Sequence, residues 1–262
     1  MKFDNIIIFS DFDGTFCKAG NIPAINLEKI EYFKANGGHF TLSTGRLPVL
    51  LKDVFPDHRN VVNAPMIMGN GSLLYDPEAE KIVEENMIKQ STGMIMLRDV
   101  LETFGPRGLL LALFGDNGEL LMRPDIDSLT YDSWYKLRFD VTDPVVGTDS
   151  RDYVIEKYPG EYNVFRSSFY CTEVVDKSAT KAKLLGRVKE ILSEKSGIPA
   201  EEYVSVCVGD FENDIPMLKA ADRAFCPENA LREVKDICEK TFCSAGEGCI
   251  AEIIDWLDNE VQ

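Results

Sequence analysis

The sequence predicts an α/β protein with a Rossmann-like core, a parallel sheet with helices on both faces, and a small α+β domain inserted into that core. Short apolar runs without polar alternation indicate strands that are buried on both faces. Amphipathic segments between these runs indicate helices, and strands that alternate with helices favour an open parallel sheet. Residues 85–172 interrupt this alternation with hairpin turns, which indicates an insertion.

The elements of the core follow from these patterns. Ile6–Phe9 is β-branched and aromatic throughout, which is typical of a buried parallel strand. Leu27–Asn36 is an amphipathic helix that Gly37 and Gly38 end. The other predicted core elements are strands His39–Leu42 and Pro65–Met68, helix Thr180–Glu194, strand Tyr203–Val208, helix Ile215–Ala221, the short strand Ala224–Cys226 and a closing helix, Ile250–Leu257.

The inserted stretch has its own elements. The sequence predicts a helix at Ser91–Phe104, then strands Leu109–Phe114 and Glu119–Arg123 joined by an Asp-Asn-Gly hairpin turn, and a later strand at Val164–Cys171. We therefore divide the chain into a core of residues 1–84 and 173–262 and an inserted domain of residues 85–172.

The composition excludes some functions. The chain has 28 basic and 44 acidic side chains and a formal net charge of −16, so it lacks the basic face that a nucleic-acid backbone requires, and it repels anionic membranes. Seven cysteines without close C-x-x-C spacing indicate reduced thiols in a cytosolic protein. No segment has the pattern of a signal peptide or a membrane span. We expect a cytoplasmic monomer or homodimer that binds neither nucleic acid nor membrane.

Polar side chains follow four of the predicted strands. Asp11, Thr44, Asn70 and Asp210 each lie where an apolar run ends. Because ligands bind beyond the carboxyl ends of the strands in open α/β sheets, we expect these residues to meet at one edge.

The residue types at that edge suit phosphoryl transfer. One carboxylate of Asp11 and Asp13 can attack phosphorus while the other handles protons. Mg²⁺, held by these acids together with Asp210 and Asp214, would neutralise the phosphate oxygens, and Lys181 would add positive charge. Each feature alone has an ordinary structural explanation: paired acids usually face solvent, and a helix lysine is usually solvated. The prediction depends on their joint occurrence at strand ends.

The order of these segments resembles the haloacid dehalogenase superfamily. The matching motifs are Asp11-Phe12-Asp13-Gly14-Thr15, Thr44 in Leu42-Ser43-Thr44-Gly45-Arg46, Lys181 in Thr180-Lys181-Ala182, and Gly209-Asp210-Phe211-Glu212-Asn213-Asp214. Three further segments resemble its Cof-type branch (class IIB): Asn70-Gly71 before Leu73–Asp76, Glu228-Asn229-Ala230, and Gly246-Glu247-Gly248. The insertion lies between Thr44 and Lys181, which is the C2-type cap arrangement.

The resemblance implies a role for each matched residue. Asp11 resembles the nucleophile and a metal ligand, and Asp13 the general acid/base, whose backbone carbonyl is a second ligand. Asp210 resembles the third ligand, Asp214 supports the metal shell directly or through water, and Lys181 completes the catalytic set. The residues expected to contact phosphate or substrate are Phe12 through its backbone N–H, Thr15, Thr44, Gly45, Arg46, Asn70, Lys181 and Asn213.

The sequence departs from the family pattern at Ala182 and Phe211, where relatives often have smaller residues; this affects loop shape and not the chemical groups. The inserted domain would select the substrate. Its basic residues are candidates for substrate contact: Arg98, Arg107, Arg123, Lys136, Arg138 and Arg166.

Three functions stay open on the sequence. The leading one is a Mg²⁺-dependent phosphatase that hydrolyses a small phosphorylated metabolite, such as a sugar phosphate, through a phosphoaspartate. A phosphomutase of the same superfamily would share the nucleophile and the metal. A catalytically silent binding protein on the same fold is the third, and the intact acids count against it.

Overall fold

The computed structural model describes residues 1–260 and divides the chain into two compact units. The first unit consists of Met1–Val83 and Lys181–Gln262, and the second of Glu84–Thr180. Each unit has its own hydrophobic core. Among the described residues, no helix is both long enough and apolar enough to cross a membrane.

The strands and helices are as follows. The strands are β1 Ile6–Ser10, β2 His39–Leu42, β3 Met66–Met68, β4 Leu73–Asp76, β5 Lys81–Glu85, β6 Ile88–Lys89, β7 Leu110–Gly115, β8 Leu120–Met122, β9 Ser133–Asp140, β10 Tyr162–Ser168, β11 Cys171–Asp176, β12 Val204–Val208, β13 Arg223–Pro227 and β14 Lys240–Phe242. The helices are α1 Ala24–Ala35, α2 Pro48–Val54, α3 His58–Val61, α4 Gln90–Phe104, α5 Pro144–Lys157, α6 Lys183–Ser196, α7 Ile215–Ala220, α8 Arg232–Lys235 and α9 Cys249–Glu260.

The first unit is built on a parallel sheet with strand order β14-β13-β12-β1-β2. Every residue of β1 is buried, as its unbroken apolar run predicts. Cys226 of β13 belongs to the core cluster that contains the apolar stripe of α6. The preceding residue, Phe225, packs edge-on against Trp256 of α9 with ring centroids 5.2 Å apart. Because successive strand residues point to opposite faces, helices cover both faces of the sheet, as predicted.

The strand predicted at Pro65–Met68 differs from its expected pairing. Met66–Met68 forms an antiparallel hairpin with β4 in a separate sheet of order β3-β4-β5. The Gly69–Gly71 turn folds the chain straight back and makes β4 the neighbour. A single parallel bridge from Ser43 to Ile67 joins β3 to the end of β2, which keeps the carboxyl end of β3 near the parallel sheet.

The second unit is an antiparallel sheet of order β10-β11-β9-β7-β8, with β6 paired to β9. Leu113 of β7 and Leu137 of β9 share a buried core with Val100 of α4 and Val154 of α5. The second unit extends beyond the predicted limit at residue 172, which falls inside β11, a strand that pairs with β9 and β10. The apolar pair Val174-Val175 continues that strand to Asp176, and the unit runs on to Thr180.

Candidate active site

The carboxyl ends of the parallel strands bring distant polar residues together. Asp11 follows β1, and its N–H donates to the carbonyl of Val208, the last residue of β12, at 2.9 Å. Thr44 lies two residues beyond β2, and its N–H donates to the carbonyl of Ile67 at 2.8 Å. The N–H of Asn70 in turn donates to the carbonyl of Thr44 at 3.0 Å. These backbone bonds fix the predicted site residues of the first unit at one sheet edge.

Three carboxylates form the centre of this edge. Asp11, Asp210 and Asp214 each place one oxygen within 4.8 Å of the others. Lys181 is 2% exposed and donates to Oδ1 of Asp11 at 2.7 Å and to Oδ1 of Asp214 at 2.6 Å. One buried lysine therefore pairs with two of the three clustered acids, and the cluster carries excess negative charge when all three are ionised.

The pKa values reflect this excess. Burial raises the pKa of Asp11 well above its ordinary value, although Lys181 opposes the shift. Burial and the charge of Asp214 raise the pKa of Asp210 to about 7. Burial lowers the pKa of Lys181, but Asp11 and Asp214 outweigh it and raise the pKa overall. Oxygen donors with uncompensated negative charge are what a hard divalent cation such as Mg²⁺ prefers, so the donor set fits one.

A pH-dependent effect of Mg²⁺ follows from the raised pKa of Asp210. Without a cation, the folded protein loses stability as pH rises from about 4 to about 7, because Asp210 must then ionise in its buried position. Added Mg²⁺ removes that cost. We therefore expect a larger Mg²⁺-induced rise in Tm at about pH 8 than at about pH 5.

Thermal melts of wild type and Asp210→Asn, with Mg²⁺ or EDTA, check this expectation. The variant lacks the titrating carboxylate, so its Mg²⁺ effect should be smaller and should vary less with pH. Equal Mg²⁺-induced rises in Tm at both pH values in wild type would contradict the assignment of Asp210 as the group that titrates.

Asp214 is held by donors on both oxygens. Besides Lys181, it accepts hydrogen bonds at Oδ2 from the N–H groups of Asp210 at 2.9 Å and Phe211 at 3.2 Å. It thus shapes the loop that carries Asp210. Of the two predicted ways for Asp214 to support a metal, this arrangement favours the one through water.

Asp13 lies outside the acid cluster. Its side chain is 56% exposed and forms a bidentate ion pair with Arg46, in which Nε donates to Oδ2 at 2.7 Å and Nη2 to Oδ1 at 2.9 Å. The guanidinium carbon of Arg46 also lies 5.5 Å from the centroid of the Phe12 ring. Arg46 therefore fixes the carboxylate at the mouth of the site.

Thr15 has a partner that the sequence did not suggest. Its hydroxyl donates to Oδ1 of Asp210 at 2.8 Å. The side chain therefore orients Asp210, and its predicted contact with phosphate stays a prediction.

Asn70 lies close to Asn213 and Gly45, two of the other residues predicted to contact phosphate. Asn213 donates from Nδ2 to Oδ1 of Asn70 at 3.2 Å, and both side chains are buried. A Cβ at Gly45 would lie 2.9 Å from Nδ2 of Asn70, which explains the absence of a side chain at Gly45. Asn70 has a φ of +58°, in the left-handed region that asparagine tolerates. Thr44 accepts at Oγ1 from the N–H of Arg46 at 3.1 Å.

Gly14 is required on two grounds. Its φ is +92°, and an added Cβ would overlap Oδ2 of Asp210. We expect Gly14→Ala to displace Asp210 and to reduce activity at least about tenfold, more than backbone strain alone would. Gly20→Ala is the matched control, because Gly20 has a φ of +82° but no described heavy atom within 4 Å of its Cβ position. Steady-state kinetics should show a larger loss of activity in Gly14→Ala than in Gly20→Ala; equal losses would contradict the role of Asp210.

Two further side chains, to which the sequence pattern gave no role in the site, contact the loop after β1. Asn229 donates from Nδ2 to the carbonyl of Gly14 at 2.7 Å, and the thiol of Cys249 donates to the carbonyl of Thr15 at 3.2 Å. The position of Asn229 just beyond β13 was the available signal, since it follows the pattern of Asp11 and Asp210.

In the second unit, most of the basic candidates have partners within that unit. The pairs are Arg98 with Asp127, Arg107 with Asp149, Lys136 with Glu173, Arg138 with Asp140, and Arg166 with Thr148. Arg123 stands in the left-handed region with a φ of +51°. Only the Lys136–Glu173 pair is buried among the ion pairs named here. Substrate contact by any of these residues stays a prediction.

Comparison with known proteins agrees with the geometry. The family model described as haloacid dehalogenase-like hydrolase matches residues 8–134 and 123–254. The chain is 22% identical to the 5-amino-6-(5-phospho-D-ribitylamino)uracil phosphatase of Bacillus subtilis, over 97% of this chain and 98% of that protein. It is 40% identical to the phosphoglycolate phosphatase of Methanospirillum hungatei, over only 25% of this chain and 28% of that protein.

A solved structure supports the fold. A HAD/COF-like hydrolase from Plasmodium vivax superimposes with a TM-score of 0.78 at 20% identity, covering 99% of this chain and 97% of that one. The family model spans most of both units, and both curated relatives are phosphatases. The chain therefore belongs to the haloacid dehalogenase-like hydrolase family.

Proposed function

We propose that the protein is a Mg²⁺-dependent phosphatase that hydrolyses a small phosphorylated metabolite through a phosphoaspartate on Asp11. The observation that carries the proposal is the buried contact of Lys181 with both Asp11 and Asp214, beside Asp210. A structural ion pair would balance its charges, whereas this cluster leaves negative charge for a cation and a phosphate to use.

The proposed metal set consists of the carboxylates of Asp11 and Asp210 and the backbone carbonyl of Asp13, with Asp214 supporting through water. When bound, Mg²⁺ would supply positive charge to the phosphate oxygens and remove the repulsion between phosphate and Asp11. Thr15 supports this set by holding Oδ1 of Asp210.

In the first chemical step, a carboxylate oxygen of Asp11 attacks phosphorus. Lys181 donates a hydrogen bond to Oδ1 of Asp11, which holds the carboxylate in place, and it contributes positive charge that stabilises the transition state. The bond from phosphorus to the leaving oxygen breaks, and Asp13 gives that oxygen a proton. The alcohol leaves, and phosphate is bonded to Asp11.

In the second step, Asp13 takes a proton from a water that attacks the phosphorus of the phosphoaspartate. The bond to Asp11 breaks, inorganic phosphate forms, and the carboxylate of Asp11 is regenerated. Arg46 orients the ionised carboxylate of Asp13 through its bidentate contact, the form in which Asp13 takes the proton from water in this step. Thr44, Gly45, Asn70, Asn213 and the N–H of Phe12 are the proposed contacts of the phosphate oxygens.

The substrate proposal is a small phosphate monoester such as a sugar phosphate. The names of the two curated relatives, which act on phosphoglycolate and on a phosphoribityl compound, support this size and class. We further propose that the second unit acts as the cap that selects the leaving group, and that the protein works in the cytoplasm as a monomer or homodimer.

The test is phosphate release from a chromogenic aryl phosphate and a panel of sugar phosphates, with Mg²⁺ or with EDTA. Release with Mg²⁺ and none with EDTA supports the proposal. Conversion of a hexose phosphate to its isomer without free phosphate would identify a phosphomutase. No turnover of any panel member, with Mg²⁺ bound, would favour a silent binding protein.

A further inference from the structure

We infer that Asn229 is a positioning residue that fixes the loop Asp11–Thr15, so that the backbone carbonyl of Asp13 is presented to Mg²⁺. The inference rests on the proposed function, because it gives Asn229 a part in the metal site proposed above. It is carried by two hydrogen bonds of one side chain that join three separate segments of the chain.

The side chain of Asn229 bridges the loop and a turn near the C-terminus. Nδ2 donates to the carbonyl of Gly14 at 2.7 Å, and Oδ1 accepts from the N–H of Ala245 at 2.9 Å. The amide thus uses a donor on one side and an acceptor on the other, which fixes its orientation.

Gly14 is the residue at which this loop needs bracing. Its φ of +92° lies in the region where glycine meets little steric resistance, so the backbone there has few intrinsic constraints. Two peptide planes flank Gly14. The N–H of Gly14 donates to the carbonyl of Cys17 at 2.7 Å, and this holds the first plane. Asn229 holds the second plane through the carbonyl of Gly14.

The first plane also contains the carbonyl of Asp13. The described chain has no cis peptide bonds, so this carbonyl points away from the N–H of Gly14 and hence away from Cys17. A rotation of the first plane would redirect it. By holding the second plane, Asn229 removes the freedom that would let the first one turn, and the carbonyl of Asp13 stays aimed for metal binding.

The far end of the bridge is itself rigid. Ser244 donates from Oγ to Oε2 of Glu247 at 2.7 Å, and the N–H of Glu247 donates to the carbonyl of Ser244 at 2.9 Å. This turn, in which Ser244 and Glu247 hydrogen-bond to each other, holds the N–H of Ala245, a fully buried residue, toward Asn229. The segments Glu228-Asn229-Ala230 and Gly246-Glu247-Gly248, to which the catalytic mechanism gives no part, therefore act together as an anchor for the catalytic loop.

If Asn229 had a purely structural role, its removal would lower the overall stability of the protein and leave the affinity for Mg²⁺ unchanged. Asn229 is exposed, so removing its side chain opens no cavity in the core. Its bonds act locally on the loop. Loss of the brace should therefore appear in the affinity for Mg²⁺ and not in the overall stability.

The experiment measures Mg²⁺ binding by titration calorimetry, together with the Mg²⁺ concentration that gives half-maximal phosphate release. The variants are Asn229→Ala, which removes both bonds, and Asn229→Asp, which keeps only the acceptor for Ala245. Asn259→Ala is the matched control, because Asn259 is an exposed asparagine whose amide donates to its own helix backbone at Asp255.

We expect both Asn229 variants to weaken Mg²⁺ binding roughly 2- to 12-fold, the range that loss of one net hydrogen bond gives. Tm in EDTA should change little, and Asn259→Ala should match wild type in Mg²⁺ affinity and in activity. Unchanged Mg²⁺ affinity in Asn229→Ala would overturn the inference, as would a lower Tm with normal Mg²⁺ binding. Wild type that binds Mg²⁺ but releases no phosphate would instead contradict the proposed function, while the calorimetry would still test Asn229.

Discussion

Replacing Asp11 by asparagine is expected to lower kcat for Mg²⁺-dependent phosphate release by about 10³-fold or more. The amide keeps the shape of the side chain and can still accept the hydrogen bond from Lys181, but it has no nucleophilic charge. The fold should survive, because the change removes one of three crowded buried carboxylates. We therefore expect the Tm in EDTA to stay equal to that of wild type or to rise.

The matched control is Asp53→Asn, which changes the charge by the same amount at an exposed position of α2. It should keep wild-type kinetics. Steady-state assays and thermal melts of both variants give the comparison. Full activity in Asp11→Asn would show that the nucleophile is a different residue.

The second large effect is expected for Lys181→Met. Lys181 is the buried cation between Asp11 and Asp214, and methionine is apolar and of similar length. Removing one partner from a buried ion pair leaves uncompensated charge and costs about 3–5 kcal/mol of folding stability. Loss of a positive group at the phosphate also removes stabilisation from the transition state, about 10²-fold or more in kcat.

Mg²⁺ should restore part of the lost stability, because the cation compensates the same carboxylates. Lys183→Met serves as the control, since Lys183 is exposed and lies two residues further along the chain. Melts with Mg²⁺ and with EDTA separate the two variants. If Lys181→Met were as stable and as active as the control, Lys181 would not compensate the charges of Asp11 and Asp214.

The core elements with strong patterns could be predicted from sequence. β1 and β12 are short apolar runs that end in acidic motifs, and their parallel pairing brings Asp11 and Asp210 to one edge. The pairing of β3 could not be predicted, because a short apolar run fits a parallel or an antiparallel neighbour equally well. The Gly69–Gly71 turn decides between them, because it returns the chain directly to pair with β3.

The contacts of side chains were harder to predict than their positions. The motif pattern placed Thr15 in the site, but its donation to Asp210 depends on the turn at Gly14. The bridge made by Asn229 joins segments that are far apart in sequence, so only the fold reveals it. Helix α5 is not among the predicted elements, because an Asp-Pro pair is compatible both with a turn and with a helix start; in the structure Asp143 caps the helix and Pro144 opens it.

The most direct test of the central claim is to trap the phosphoaspartate. Wild type, turning over an aryl phosphate with Mg²⁺, is quenched and treated with borohydride, which reduces an aspartyl phosphate to homoserine, and tandem mass spectrometry locates the product. We expect homoserine at position 11, absent with EDTA and absent in Asp11→Asn. Steady phosphate release with unmodified Asp11, or modification at a different aspartate, would contradict it.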